Sequence, residues 1–528
     1  MNVDSSESLE KKKEVIVMAT SRSEYVMKNA SVALVMQIIK NLLSFVGRTV
    51  FVYVLGAEYL GVNSLFTEIL TVLSFAELGI GNAMVFSLYK PLAEKDTEKI
   101  KSLMKLYARS YQVIGIIIGV SGICVMPLLK YIVGDVSYVK ENLTVLYLLF
   151  LLNSVLSYFF VYKKSLIIAD QKNYIVEIYQ QVFHAIQILV QLVFLIVTKQ
   201  FIPYLLLTIL FTFLNNFFVA KKANKMYPCL VEKNVKPLEK EEINGIVKNI
   251  KALIVYKVGG IILESTDSIF ISSLINVVTV GLYSNYKMVI NVFRTIGNQV
   301  MNSIVASVGN LNANGSEEKK EGVFYELMYL NGWFYGFATV GLCAFITPLI
   351  KIWLGNSYVI GMDAVFAACV YFYVSNMHYP CYTYRTTAGL FVYGKYVPMM
   401  SAVLNIVLDI TMGMKWGLPG ILSASTISRT LTYELIDPFL VYRRVFHKPV
   451  AKYFGVYCAI AALVCLDGFV SYKVAYLIPV TGIVGFVLKI VVFSVSYNLI
   501  FVAATIKSKP AQSILKRLKA IVEKRKHK

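Results

Sequence analysis

Fourteen long apolar segments constrain the fold of this chain more than any other feature of its sequence. About twenty apolar residues in a helix are enough to cross the hydrocarbon core of a bilayer. The segments therefore predict an all-α polytopic membrane protein with about fourteen transmembrane helices. They run over residues 30–54, 62–88, 110–129, 143–162, 174–198, 202–220, 252–275, 281–305, 323–350, 364–384, 396–414, 419–441, 453–471 and 476–505.

The composition excludes the main alternatives to a helical membrane protein. Hydrophobic residues make up 57% of the chain and charged residues only 16%, against about 45–50% and about 25% in soluble domains. So few charged residues cannot cover several soluble domains with polar shells. A transmembrane β-barrel would alternate apolar and polar residues, whereas the apolar residues here come in continuous segments.

The distribution of positive charge predicts the orientation. The chain carries 52 Lys and Arg and a net charge of +21. With a cytoplasmic N-terminus, 39 of these cations fall on cytoplasmic connections and tails, 6 on outside connections and 7 within spans. Cytoplasmic loops of membrane proteins are enriched in Lys and Arg, so we expect both termini in the cytoplasm. The same bias explains the net charge without a nucleic-acid partner.

Charge and span positions divide the chain into segments. We predict a cytoplasmic N-tail over 1–29, six spans within 30–220, a Lys/Glu-rich cytoplasmic linker over 221–251, six spans within 252–441, two final spans within 453–505 and a basic tail over 506–528. In the tail, Ile514, Leu518, Ile521 and Val522 recur at helical spacing among lysines and arginines. This pattern is typical of an amphipathic helix on an anionic inner leaflet; a solvated basic tail is the alternative.

Ionisable residues inside the spans point to a polar cavity. Nine of them lie in spans one, two, seven and eight, although a charge at the bilayer centre costs about 2.5–3.5 kcal/mol on insertion scales. The polar residues of span eight recur at steps of three and four, which places them on one helix face. Salt bridges between helices, such as Arg294 with Asp267, are the alternative explanation. The candidates for lining the cavity are Lys40, Arg48, Glu68, Glu264, Asp267, Lys287, Asn291, Arg294 and Asn298.

Several motifs of enzymes and metal proteins are missing from the sequence. It has no GxxxxGK[ST] motif and no HExxH motif, and its seven cysteines do not follow zinc-ligand spacing. We therefore expect neither an enzyme nor a metal site.

A weak internal repeat links Leu60-Gly61-Val62-Asn63-Ser64, which opens span two, to Val280-Gly281-Leu282-Tyr283-Ser284, which opens span eight. Repeats of this kind occur in transporters.

Two segments carry a resemblance to a known family. Residues 48–96 read RTVFVYVLGAEYLGVNSLFTEILTVLSFAELGIGNAMVFSLYKPLAEKD, and residues 265–289 read STDSIFISSLINVVTVGLYSNYKMV. Both resemble Wzx-type repeat-unit flippases of the multidrug/oligosaccharidyl-lipid/polysaccharide (MOP) exporter superfamily. The resemblance implies two six-helix lobes around a central cavity, two further C-terminal helices, and a bacterial cytoplasmic membrane as the location. It implies that helices one, two, seven and eight line the cavity.

The same resemblance implies a function and roles for the candidate residues. The expected substrate is an undecaprenyl-diphosphate-linked oligosaccharide for capsule, exopolysaccharide or O-antigen synthesis, moved between leaflets by alternating access. Lys40, Arg48, Lys287 and Arg294, with Asn291 and Asn298, would bind the diphosphate or acidic sugars, since Arg offers paired donors to phosphate. Glu68, Glu264 and Asp267 would bind a coupling Na⁺ or H⁺; the alternative is that they only tune the neighbouring cations. No other cofactor is expected.

Other functions stay open at this stage. A peptidoglycan lipid-precursor flippase and a multidrug or cation antiporter belong to the same superfamily. An antiporter for cationic drugs favours an acidic cavity, whereas spans one, two, seven and eight hold five Lys and Arg against four Asp and Glu. A membrane polysaccharide polymerase is the distant alternative, and the short outside connections argue against it. Membrane lipids, a polysaccharide polymerase and assembly proteins are the expected partners.

Overall fold

The computed structural model describes residues 37, 39–77, 80–134, 139–232, 234–390 and 393–526, and the predicted N-tail over 1–29 lies outside them. The described part of the chain is helical and contains no β-strand, so the predicted all-α fold is confirmed. Its α-helices are α1 (39–55), α2 (Ala57–Leu73), α3 (Ile80–Glu94), α4 (Thr97–Val125), α5 (Leu129–Val133), α6 (Leu143–Ser157), α7 (Tyr162–Ala169), α8 (Asn173–Thr198), α9 (Phe201–Met226), α10 (Lys240–Leu274), α11 (Val277–Asn314), α12 (Glu317–Leu354), α13 (Met362–Met377), α14 (Tyr379–Thr387), α15 (Val397–Trp416), α16 (Leu418–Val441), α17 (Ala451–Tyr476), α18 (Gly482–Thr505) and α19 (Lys509–Lys526).

The chain forms two compact units, which we describe separately. Unit 1 comprises residues 1–59, 70–129 and 137–254, and unit 2 comprises residues 60–69, 130–136 and 255–528. The middle of α2 therefore packs with the second half of the chain. The predicted linker over 221–251 is mostly ordered, because α9 continues to Met226, a 3₁₀ turn covers Pro228–Val231 and α10 begins at Lys240.

Within the described residues, each predicted span coincides with a helix or a pair of helices, but four of them are not continuous. Span two divides into α2, a 3₁₀ turn over Ser74–Glu77 and α3. Span three passes from α4 to α5 through a 3₁₀ turn over Met126–Leu128. Span four ends at Ser157, and α6 and α7 bend by 44° across the break. Span ten is α13 followed by α14, with His378 between them. Span fourteen begins only at Gly482, which has a positive φ of 74°, a conformation that favours glycine.

Apolar composition alone identifies only some of these helices as membrane-spanning. Seven described helices are long and apolar enough to cross a bilayer, or eight if the bent pair α6–α7 is one span. α11 is not among them, because its polar face carries Lys287 and Arg294. Ionisable residues inside spans face the interior of a helix bundle, so such helices have a low hydropathy even where the surrounding bundle covers them.

Packing between aromatic rings and polar contacts at the ends of helices stabilise unit 1. The rings of Phe51 and Tyr59 on α1 and α2 lie 5.7 and 5.4 Å from Phe201 at the start of α9. The Tyr59 hydroxyl donates to Glu141 Oε2 at 2.6 Å. At the start of α4, Lys101 donates hydrogen bonds to Glu232, on the segment after α9, and to Glu98. These bonds raise the pKa of Lys101 to about 12.

Small residues let the last two membrane helices of unit 2 pack closely on α12. A methyl group at Gly332 or Gly336 would lie 2.5 Å from a side-chain carbon of Ile460 or Val464 on α17. The Gly-xxx-Gly spacing of this pair is a common contact surface between membrane helices. At Gly336 the same methyl group would also lie 2.8 Å from the hydroxyl oxygen of Tyr497 on α18, which is fully buried. The final two spans are therefore part of unit 2 and not an independent appendage.

The basic C-terminal segment is a helix, α19, that contacts the start of α12. Ser513 Oγ donates to Glu326 Oε1 at 2.6 Å, and Arg517 Nη2 lies 3.0 Å from Glu326 Oε2. Ala511 is buried in the same contact region. The side chains of the predicted apolar face at Leu518, Ile521 and Val522 lie outside the described residues. The placement of this helix on a lipid leaflet remains a prediction.

Candidate functional site

The structure pairs one predicted charged residue of span two with one of span eight. Lys287 Nζ on α11 lies 2.7 Å from Glu68 Oε1 on α2, and both belong to unit 2. Their side chains are 30% and 23% exposed, so neither is fully removed from solvent. For this pair, a salt bridge between helices describes the contact. Lys287 can meet an anionic substrate only if Glu68 shares or releases it.

The helix starts that carry the weak repeat also meet in unit 2. Gly61 on α2 lies so close to the start of α11 that a methyl group there would be 2.0 Å from the Val277 carbonyl oxygen. α11 begins with Asn276, whose side chain accepts from the Thr279 N–H at 2.8 Å, a typical N-cap contact. The absence of a side chain at Gly61 therefore allows the backbone crossing that brings Glu68 to Lys287.

Arg294 lies about two turns further along the same face of α11. It is half-buried, and within the described part of the chain it forms no salt bridge. The phenols of Tyr283 and Tyr335 are close enough to Arg294 to interact with it electrostatically. Asn291 is exposed and Asn298 half-buried. The expected alternative, a salt bridge from Arg294 to Asp267, is not formed. This face offers a guanidinium and two amides to a ligand.

Asp267 belongs to a different cluster, which joins α10, α15 and α16. Ser425 Oγ donates to both of its carboxylate oxygens, at 3.0 and 3.1 Å. Asn405 Nδ2 donates to Asp409 Oδ1 at 3.1 Å and to Ser425 Oγ at 3.2 Å. The four side chains are at most 8% exposed. We call these four residues the oxygen cluster.

The chemistry of the oxygen cluster suits a small hard cation or a proton. It offers two carboxylates, an amide oxygen and a hydroxyl, all oxygen donors of the kind that bind hard cations. Two of these oxygens, Asn405 Oδ1 and Asp409 Oδ2, have no hydrogen-bond donor among the described residues. Two buried carboxylates close together cannot both remain charged without a compensating cation or proton. Described residues provide no group of three or more His, Cys, Asp or Glu for a metal.

The remaining predicted residues lie elsewhere. Lys40 is exposed on α1, close enough to His184 on α8 to interact electrostatically. Arg48 is half-buried near Tyr204 of α9. All four belong to unit 1. The side chain of Glu264 on α10 lies outside the described residues.

Sequence reasoning counted Asp409 and Glu434 among the charges inside spans but assigned neither to a site. It missed Asn405 and Ser425 of the oxygen cluster and three residues of a second buried group, His378, Arg385 and Asp437. Asn405, Asp409 and Ser425 lie far from Asp267 in the sequence, although the spacing of Asn405 and Asp409 by four residues places them on one helix face. Arg385 was expected in a cytoplasmic loop, because the apolar run ends at residue 384. The structure extends α14 to Thr387 and buries Arg385 within it, 1% exposed. The side of the membrane on which it lies remains a prediction.

Comparison with known proteins identifies the fold. No protein-family model and no curated protein sequence matches the chain. Among solved structures, the lipid II flippase MurJ in an inward closed conformation matches with a TM-score of 0.65 and 14% identity, over 89% of this chain and 97% of MurJ. The fold is that of the MurJ and MATE transporters.

Two multidrug transporters extend the same comparison. An inward-facing MATE family transporter of the MOP superfamily matches with a TM-score of 0.58 and 12% identity, over 77% of this chain and 96% of its own. The MATE multidrug transporter DinF-BH gives 0.57 and 17%, over 81% and 97%. MurJ thus accounts for more of this chain than either MATE structure does.

Proposed function

We propose that this protein is a flippase that moves undecaprenyl-diphosphate-linked oligosaccharide repeat units across the bacterial cytoplasmic membrane by alternating access. The observation that carries the proposal is Arg294, a half-buried guanidinium without a carboxylate partner among the described residues, on a polar face of a membrane helix. A cation in that position suits an anionic head group, since guanidinium binds phosphate oxygens in pairs. A cavity for cationic drugs favours the opposite charge.

A second candidate substrate is a peptidoglycan lipid precursor. The MurJ structure, described as a lipid II flippase, covers 89% of this chain, more than the MATE structures cover. Both candidate substrates carry a diphosphate on a polyprenyl chain, and they differ in the attached sugars. We favour the oligosaccharide because residues 48–96 and 265–289 resemble Wzx-type flippases.

Transport in proteoliposomes tests the proposal. Purified protein is reconstituted with an undecaprenyl-diphosphate oligosaccharide, with lipid II or with a cationic dye, and movement to the other leaflet is measured with a membrane-impermeant reagent. We expect movement of the oligosaccharide lipid. Movement of lipid II alone would favour the second candidate, and movement of the dye alone would overturn the proposal.

Variants of Arg294 test its role. We expect Arg294→Ala to abolish flipping and Arg294→Lys to restore part of it, because Lys returns the charge without the paired donors. Arg443→Ala, at an exposed arginine after α16, is the matched control and should flip at the normal rate. Normal flipping by an abundant Arg294→Ala protein would remove this residue from the substrate path.

We further propose that the oxygen cluster binds the coupling ion, Na⁺ or H⁺. Asp409→Asn removes one of the two acids with little change in shape. We expect it to abolish gradient-driven flipping while leaving the protein folded. Asp363→Asn, at an exposed acid at the start of α13, is the control. Equal flipping by Asp409→Asn with and without a gradient of either ion would confirm its part in coupling, and unchanged gradient dependence would exclude it.

We also propose that both termini face the cytoplasm, following the distribution of Lys and Arg. Single cysteines introduced beside Lys130, Lys351 and Lys473 should react with an impermeant reagent in intact cells, and those beside Lys95 and Lys448 should not. All five lysines are exposed, so differences in labelling report the side of the membrane. Labelling beside Lys448 in intact cells would contradict the model.

A further inference from the structure

A second buried charged group joins the break between α13 and α14 to α16. His378 Nε2 lies 2.9 Å from Asp437 Oδ2, and His378 Nδ1 lies 3.3 Å from Glu434 Oε1. Arg385 Nη1 donates to the other Asp437 oxygen at 2.6 Å. The four residues are between 0% and 6% exposed. We call them the histidine cluster; it shares no residue with the oxygen cluster.

Counted over its own four side chains, the histidine cluster is charge-balanced only when His378 carries a second ring proton. With a neutral imidazole, one guanidinium faces two carboxylates and the buried group carries a net charge of −1. With an imidazolium the charges balance. An isolated buried charge is costly, and a neutral imidazole has only one N–H, so its other nitrogen would present a lone pair to a carboxylate.

Glu434 depends most strongly on that proton. Neither of its carboxylate oxygens has a hydrogen-bond donor among the described residues. Its contact with His378 is at ion-pair distance without hydrogen-bond alignment. Asp437, in contrast, keeps its contact with Arg385 whatever the state of the histidine. Loss of the proton therefore leaves Glu434 buried beside a neutral ring.

Most groups around the histidine cluster are phenols or a thiol, which are ordinarily neutral near pH 7. The charged exception, Arg429, already stacks 4.9 Å from the Tyr433 ring and donates to the Ser375 carbonyl at 3.2 Å. None of these neighbours donates a hydrogen bond to Glu434 Oε1, Glu434 Oε2 or Asp437 Oδ2. The titratable and charged groups facing the cluster from the packed elements are Cys381, Tyr382 and Arg385 on α14, Arg429 and Tyr433 on α16, and Tyr453 and Tyr457 on α17.

The histidine cluster lies at the break between α13 and α14, where one helical hydrogen bond is missing. Pro380 has no N–H, so it cannot bond the Asn376 carbonyl as a helix residue would. Asn331 Nδ2 of α12 bonds that carbonyl instead, at 2.8 Å. The helical hydrogen-bond ladder is therefore interrupted beside His378. Contacts from the cluster to α16 help to fix the angle at this break.

We propose that the histidine cluster binds one exchangeable proton, and that its release loosens the α13–α14 break from α16. The proton passes between the cluster and water, with no other chemical change. A role for this step in the transport cycle rests on the proposed function. The proton site itself does not, and it can be tested without any substrate.

The test measures thermal stability of the purified full-length protein in lipid nanodiscs between about pH 6 and pH 10. Stability of the wild type should fall as pH rises, because the deprotonated cluster holds an unbalanced charge. In the Glu434→Gln variant, a cluster with a neutral His378 carries no net charge, because Arg385 and Asp437 balance each other. The decrease in thermal stability that arises from the cluster should then disappear, or the pH at which it occurs should shift by about 1–3 units, which is the usual effect of one neighbouring charge. His378→Gln combined with Glu434→Gln should show no such fall.

His447 provides a matched control, because it pairs with Glu317 at 2.8 Å while both side chains are more than half exposed. His447→Gln should leave the profile unchanged. If each variant differs from the wild type by the same amount at every pH, the cluster is a fixed ion-pair network and the proposal is overturned. Should variants of His378 fail to accumulate, Glu434→Gln decides alone. Failure to flip lipid would count against the proposed function and not against this pH profile.

Discussion

The salt bridge between Glu68 and Lys287 leads to a prediction that separates a structural role from a substrate-binding role. Glu68→Gln should destabilise the protein, because Lys287 then keeps its charge beside a neutral amide. Lys287→Gln should do the same by leaving the carboxylate alone. Reversing both charges, with Glu68→Lys and Lys287→Glu together, should restore most of the lost stability, since the pair reforms with opposite polarity.

The expected size follows from the distance and the exposure. At 2.7 Å, two unit charges attract by about 6 kcal/mol at an effective dielectric constant of 20. Side chains that are 30% and 23% exposed regain part of this energy from water when the pair is broken. Removing one partner costs about 3–5 kcal/mol for a buried pair and about 0–1 kcal/mol for a surface pair. We therefore expect a loss of about 1–3 kcal/mol for each single variant.

Thermal unfolding of the purified variants in detergent measures this loss, with flipping recorded on the same samples. The pair of Lys90 and Glu94 is a suitable control, because it is a solvent-exposed ion pair at 3.9 Å, and Lys90→Gln should change stability little. If the charge-reversed double variant is stable but cannot flip, Lys287 acts on the substrate as well. Single variants as stable as the wild type would refute the electrostatic reasoning.

Two further predictions concern backbone and surface contacts. A methyl group at Gly61 would lie 2.0 Å from the Val277 carbonyl oxygen, so Gly61→Ala should sharply reduce membrane abundance, whereas Gly455→Ala, with open space around it, should not. Burial by itself raises the pKa of Glu321. Hydrogen bonds from Lys448 and from Lys452 on α17 lower this pKa and outweigh the effect of burial, so the net shift is downward. The contribution of Glu321 to stability, about 1 kcal/mol, is thus present at neutral pH and lost as pH falls through the lowered pKa, so wild-type and Glu321→Gln melting temperatures should converge on acidification.

The fold could be predicted from the sequence because its signal is repeated along the chain. Each span is a run of apolar residues that signals a membrane helix independently of the others. The sides of the connections, which the distribution of Lys and Arg predicts, remain a prediction. Breaks within spans were not predicted, because they depend on single positions. The break at His378 follows from Pro380 and from a bond that Asn331 supplies, and the apolar run gave no sign of it.

The candidate site was predicted only where its residues share one helix. The face of α11 that carries Lys287 and Arg294 follows from spacing alone. The partners of that face do not, because Glu68 lies 219 residues away from Lys287 and many acids could have served. Asp267 was found by its position in a span, yet its partner Ser425 is a small hydroxyl, common in membrane helices and uninformative by itself.

The oxygen cluster and the histidine cluster of unit 2 differ in the charged groups that they contain, and this difference suggests different ligands. The oxygen cluster brings Asp267 and Asp409 together with an amide and a hydroxyl, so its described members supply negative charge and oxygen donors. The histidine cluster already contains the Arg385 guanidinium and needs only one proton for balance. α16 contributes to both, through Ser425 near its middle and Asp437 near its end. Ion binding at the first cluster and proton binding at the second would therefore act on the same helix. If the ion changes the affinity of the histidine cluster for its proton, the proton must change the affinity for the ion by the same factor.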